Sequence, residues 1–147
     1  METKPNRLTW EEYAIKIAET VALRSEDPYQ QVGACVLNKD NMIIGVGYNG
    51  LASGTNVTPE FWGNRDERRK YMIHAEANAL SLVKKGEGVL IACNLLPCSS
   101  CATLIAAHGI KHVVYTEVYK RDTKALEIFD FYGIKCEQYS LNSSSSV

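Results

Sequence analysis

His74, Glu76, Cys98 and Cys101 stand in two short strings, His74-Ala75-Glu76 and Pro97-Cys98-Ser99-Ser100-Cys101. One imidazole and two thiolates are good ligands for zinc. Structural zinc sites usually close with four protein ligands, whereas catalytic sites leave one position for water. A carboxylate two residues from the histidine can reach that water and carry its proton. These four residues predict a hydrolytic zinc centre with Glu76 as the shuttle. A closed structural zinc site is the alternative, with Cys93 the nearest fourth ligand in sequence; a redox dithiol at Cys98 and Cys101 is a third reading. Cys93 and Cys35 both lie in apolar runs, where free cysteine commonly behaves as a small hydrophobe. Cys136, His108 and His112 read as packing or surface residues.

The elements that must hold these groups follow from local patterns. Thr9 is a plausible N-cap, Glu12 completes a capping box, and an apolar stripe continues the helix to about Arg24. Asp27-Pro28 breaks it. Residues 32–37 and 42–47 read as strands, and the turn residues Asn38-Lys39-Asp40-Asn41 between them predict an antiparallel hairpin. Residues 48–72 read as mostly loop, and a loop of that length in a small domain is usually functional. Then helix and strand alternate: helix 75–85, strand 89–95, helix 99–108, strand 112–118, helix 123–132, strand 135–139. That order predicts a layered α/β domain on a five-stranded mixed sheet. His74-Glu76 opens one helix and Pro97-Cys98 opens the next. Helix starts carry partial positive charge, which favours thiolates.

The chain has 147 residues, enough for one domain over 1–141, with a disordered serine-rich tail over 142–147. Net charge is −1 and the cations are scattered, a poor footprint for a polynucleotide. No apolar run is long enough to span a membrane. The start, Met1-Glu2-Thr3-Lys4-Pro5, lacks the apolar stretch of a secretory signal. Five cysteines in such a chain favour reduced thiols and metal ligation, hence a cytoplasmic setting.

Several weaker strings surround the centre. Gly45 to Gly50 matches G-x-G-x-x-G, but a loop follows where a dinucleotide site needs a helix. Asn49 within it is read as a contact to a sugar or base edge, against an ordinary glycine-bounded turn. Arg24-Ser25 ends the first helix and could meet a phosphate. Tyr119 and Arg121 follow a strand end, where ligands gather in α/β folds. The run Arg65 to Lys70 mixes acids and bases and reads as a solvated face.

With these residues in view, the chain resembles the deoxycytidylate (dCMP) deaminases of the cytidine-deaminase superfamily, from about residue 8 to about residue 138. H-x-E followed by P-C-x-x-C is the known signature of zinc nucleobase deaminases. Arg24-Ser25 with Asp27-Pro28, and Gly47-Tyr48-Asn49-Gly50, point to the nucleotide branch. The resemblance implies a three-layer α/β/α cytidine-deaminase-like domain that hydrolyses dCMP to dUMP and ammonia, supplying dUMP for dTTP synthesis. It implies Zn2+ on His74, Cys98 and Cys101, with Glu76 protonating the ring at N3. It also implies Asn49 on the deoxyribose hydroxyl, the Ala75 amide on the base carbonyl and Tyr119 along the pocket. Ser25, Arg24 and Arg121 fall on the phosphate side. Gly47, Tyr48 and Gly50 fall near a regulatory pocket for dCTP with Mg2+, and for the inhibitor dTTP, in a homohexamer. After Gly50 this chain has Leu51-Ala52-Ser53-Gly54-Thr55, where the family often has Met-Pro and then Gly-Cys. The competing functions are deamination of another base, nucleoside or nucleotide, and a non-catalytic zinc module.

Overall fold

The computed structural model describes residues 6–140. The first helix, α1 (Trp10–Ala22), starts with the expected capping box. The Glu12 amide donates to Thr9 Oγ1 at 3.1 Å, and the Thr9 amide donates to the Glu12 carboxylate at 2.9 Å. Two of the orphan donors at the helix start are thus satisfied. Ala14, Ile15, Ala18 and Ala22 form its buried face.

Strands β1 (Gly33–Leu37) and β2 (Ile43–Tyr48) form the predicted antiparallel hairpin. The Asn38 side chain accepts the amides of Asp40 and Met42, each at 2.9 Å, which closes the turn. Then come α2 (Pro59–Gly63), α3 (Arg65–Tyr71), α4 (Ala75–Leu80), β3 (Leu90–Leu95), α5 (Ser99–Ala107), β4 (His112–Glu117), α6 (Lys124–Phe131) and β5 (Lys135–Gln138).

The sheet runs β2-β1-β3-β4-β5. β1 is antiparallel to both neighbours, while β3, β4 and β5 are parallel. Side chains alternate across it, as strand geometry requires. Cys35, Leu37, Leu90, Ala92 and Val114 pack towards α1. Val36, Ile91, Cys93, Val113 and Tyr115 pack towards Leu80, Ala102, Ile105 and Phe129 of α4, α5 and α6. The result is the expected three-layer α/β/α domain on a five-stranded mixed sheet. A side chain as large as fully buried Phe129 contributes about 1.5–3 kcal/mol by burial.

Two segments differ from the sequence expectation. Residues 48–72 hold two short helices, α2 and α3, neither of which buries a residue. Asn64 caps α3 through its side chain, and a bridge between Gly50 and Ile73 ties the segment's ends to each other. α4 stops at Leu80 instead of running to residue 85. There the Ser81 hydroxyl donates to the Asn78 carbonyl at 2.7 Å, and turns lead through Gly86 at φ +91°. The serine-rich tail expected over 142–147 lies outside the described residues.

Gly47 shows why β2 carries glycine beside the site. A Cβ there would sit 2.6 Å from the Ala75 carbonyl and would also meet the Ala79 amide. Only glycine lets the strand lie this close to α4. The start of α4, where His74 and Glu76 stand, is set by that contact. Among the described residues, no helix is long and apolar enough to cross a membrane.

Candidate active site

Two helix starts converge. His74 is the N-cap residue of α4 and Cys98 the N-cap residue of α5. Neither uses its side chain to cap its helix, so both side chains are free for other work. His74 Nδ1 lies 3.5 Å from Cys98 Sγ and 3.3 Å from Cys101 Sγ. The three atoms all lie within 4.8 Å of one another. The Cys101 thiol and the His74 ring hold Cys98 well below the usual thiol range, while Cys101 itself is pushed up, first by Cys98 and then by burial. One nitrogen and two sulfurs at this spacing suit zinc, and three protein donors are the set that keeps a fourth position open. Cys93 is buried in β3 and does not belong to the group, so no fourth protein ligand closes the site among the described residues.

The triad opens onto a cavity of about 1170 Å³. His74 is exposed to it, Cys98 half-buried and Cys101 buried. Glu76 also lines this cavity, at only 3% exposure. Burial pushes its carboxyl above the ordinary range, the direction that favours a group able to hold a proton. Six cations stand round the cavity: Arg65, Arg68 and Arg69 of α3, and Lys120, Arg121 and Lys124 beyond β4. Among the described residues none of the six forms an ion pair. Desolvation, and then the Arg121 and Arg69 charges, lower Arg65 from its usual value. This rim is therefore matched to an anion.

The family model for the cytidine and deoxycytidylate deaminase zinc-binding region matches residues 8–117. The chain belongs to this family. A deoxycytidylate deaminase of Pongo abelii is 37% identical over 145 residues, covering 90% of this chain and 80% of that one. The Homo sapiens deoxycytidylate deaminase is 36% identical over 145 residues, with the same coverage of 90% and 80%. A dCMP deaminase from cyanophage S-TIM5, solved in complex with dCMP and dUMP, superposes with a TM-score of 0.73 at 29% identity. It covers 87% of this chain and 95% of its own.

In this deaminase-family chain the site residues expected from sequence divide into two groups. Asn49, Ala75, Tyr119 and Arg121 line the cavity beside the triad and Glu76. Asn49 Oδ1 accepts the Val32 amide and its Nδ2 donates to the Gln30 carbonyl, both at 2.9 Å. One lone pair and one hydrogen of its side chain remain. Arg24 and Ser25 are not among the cavity's walls. Ser25 is buried, donates its hydroxyl to the Asn49 carbonyl at 2.9 Å and accepts the Asp27 amide at 3.2 Å, so it ties two loops together. The Arg24 guanidinium lies 6.0 Å from the Tyr48 ring centroid. Gly47 is held by packing on α4, and the Tyr48 carbonyl accepts from Asn78 Nδ2 at 2.8 Å.

Two contributors were missed in the sequence. The first is α3, whose charges look mixed in a linear reading. The signal was there: Arg65, Arg68 and Arg69 are spaced by three and four and share one helical face. The second is Asp122, whose Oδ2 accepts from both the amide and the hydroxyl of Ser99, at 2.8 and 2.7 Å. No local pattern announces that pairing, because its partners are 23 residues apart.

Proposed function

We propose that this chain hydrolyses dCMP to dUMP and ammonia, with zinc as its resident metal. The observation that carries the choice of a nucleotide over a nucleoside is the cationic rim free of ion pairs. A substrate without a phosphate would leave that charge unmatched.

His74, Cys98 and Cys101 are the residues that would hold the ion. Zinc bound there would supply Lewis acidity and lower the pKa of a water on it towards ~7. The chain's own groups do the rest. Glu76 would take one proton from the attacking water and pass it to N3 of the cytosine ring. It would then take the second from the hydroxyl now on C4 and deliver it to the amino group as the C4–N bond breaks and ammonia leaves. Its burial raises the carboxyl above the ordinary range. The Ala75 amide, in the first turn of α4 where backbone donors lack helical partners, orients the base carbonyl. The free valences of Asn49 take the deoxyribose hydroxyl. Tyr119 walls the nucleotide, and Arg121 with Arg65 and Arg69 receives the phosphate. Arg68 is already engaged: it donates to the Trp62 carbonyl at 3.1 Å and stands 4.4 Å from the Tyr29 ring centroid. Arg24 and Ser25 support the loops behind Asn49 in this reading.

Regulation is a further part of the proposal. The resemblance supports dCTP with Mg2+ as activator, dTTP as inhibitor, and a homohexamer, with the effector near Tyr48 and Gly50. Thiol ligands suit a reducing cytoplasm. No polynucleotide or membrane partner is proposed.

The test is ammonia release from zinc-loaded protein. Substrates are dCMP, deoxycytidine, cytidine and dCTP, with and without dCTP–Mg2+ as effector and with Glu76→Ala as control. Turnover of dCMP, lost in the control, is the expected result. Deoxycytidine turned over as well as dCMP would defeat the nucleotide reading, and no turnover of any of them would defeat the activity.

A further inference from the structure

We propose that Asp122 is a positioning residue for the turn that carries Cys98 and Cys101. The proposal rests on the reading of those cysteines as metal ligands. Cys98 is the N-cap residue of α5, and its sulfur faces His74 instead of capping the helix. The turn that spaces the two sulfurs therefore lacks the usual local anchor at its start. Asp122 supplies one from a distant loop, taking the Ser99 amide at 2.8 Å and the Ser99 hydroxyl at 2.7 Å on one oxygen. Its other oxygen accepts the Lys124 amide at 3.1 Å. That amide opens α6, whose N-cap residue, Thr123, also makes no side-chain cap.

One carboxylate thus joins the first turns of two helices. The loop it belongs to carries Tyr119, Lys120 and Arg121 along the cavity wall. Ligand turn and cationic loop are held in one register by this single side chain. Carboxylates that orient metal ligands without touching the ion typically change metal affinity or activity about 10- to 100-fold when removed. Asp122 differs from the usual case in acting through the ligand turn, on Ser99, the first of the two residues between the cysteines.

The experiment is zinc competition against a chromophoric chelator, run on wild type, Asp122→Ala, Asp122→Asn and Ser99→Ala. Thr9→Ala, at the cap of α1 and remote from the site, serves as the control for general destabilisation. Asp122→Ala is expected to weaken zinc binding about 10- to 100-fold. Asp122→Asn keeps an acceptor for the Ser99 amide and should lose less, as should Ser99→Ala, which drops one bond of two. Thr9→Ala should bind zinc as wild type does. KM for dCMP should rise with the Asp122 variants, because the same loop carries Arg121. Wild-type zinc affinity in both Asp122 variants would overturn the proposal, as would a zinc loss in Thr9→Ala equal to that in Asp122→Ala. Should Asp122→Ala not fold, Asp122→Asn and Ser99→Ala decide by the same comparison. If wild type itself fails to bind zinc, the metal reading falls first; if wild type binds and the variants match it, only Asp122 falls.

Discussion

Asn49 clasps Val32: its side-chain oxygen accepts the Val32 amide at 2.9 Å from across the hairpin base. The same side chain donates to the Gln30 carbonyl. A wall of the cavity is therefore also what shapes it. Asn49→Ala leaves a buried amide without its acceptor, at a cost of about 1–3 kcal/mol. Urea denaturation should show that loss, and KM for dCMP should rise with it. Asn49→Asp keeps the acceptor for Val32 but sets an oxygen against the Gln30 carbonyl, so it should lose stability as well. Unchanged stability in Asn49→Ala would show that the clasp is dispensable.

Glu76→Gln keeps shape and burial while removing the titratable group. Its kcat should fall by about 10²- to 10⁴-fold, the range typical of a lost proton shuttle. Zinc content should be unchanged, because Glu76 is outside the triad. A variant with near-normal kcat and normal zinc would end the shuttle assignment.

The cation rim should separate phosphate from base recognition. Hydrogen bonds to charged groups contribute about 1.5–3 kcal/mol, so Arg121→Ala or Arg65→Ala should raise KM for dCMP roughly 10- to 150-fold. Residual turnover of deoxycytidine should hardly move. Equal effects on both substrates would place these arginines away from the phosphate.

At the far edge of the sheet, His112 Nε2 lies 2.9 Å from the Glu137 carboxylate, with Lys135 Nζ at 3.6 Å. His112 first, and Lys135 after it, hold Glu137 below the ordinary carboxylate range. A carboxylate shifted down binds its proton less readily folded than unfolded. Its contribution is therefore present above the unfolded pKa of about 4.3, and is lost as pH falls through the folded value. Glu137→Gln should flatten the acid limb of the stability curve below about pH 4.3. Near neutrality it should cost under about 1 kcal/mol, since the pair is partly exposed. Thermal melts across that range read both effects, and an unchanged acid limb would dismiss the pair as a contributor.

What could be read in the sequence was what is local. The Thr9–Glu12 box, the Asn38 turn and the strand–helix alternation each depend on neighbours in the chain, and each was found where expected. That His74, Cys98 and Cys101 come together was legible because a metal-ligand pattern restricts residue type as well as spacing. The placement of Ser25 was not: its hydroxyl meets the Asn49 carbonyl 24 residues away, a pairing no local string announces. α3 was hidden for another reason. Asp66 and Glu67 do not line the cavity while Arg65, Arg68 and Arg69 do, and only the folded helix sorts one set from the other.

The cations of α3 sit on a helix that buries nothing, whereas the zinc-suited triad and Glu76 stand on helix starts seated on the core. Changes on α3 can alter which anion is admitted while leaving the folded state almost untouched. Changes at the helix starts put chemistry and folding at risk together. A lineage of such proteins can therefore drift readily in what it selects and only with difficulty in what it does.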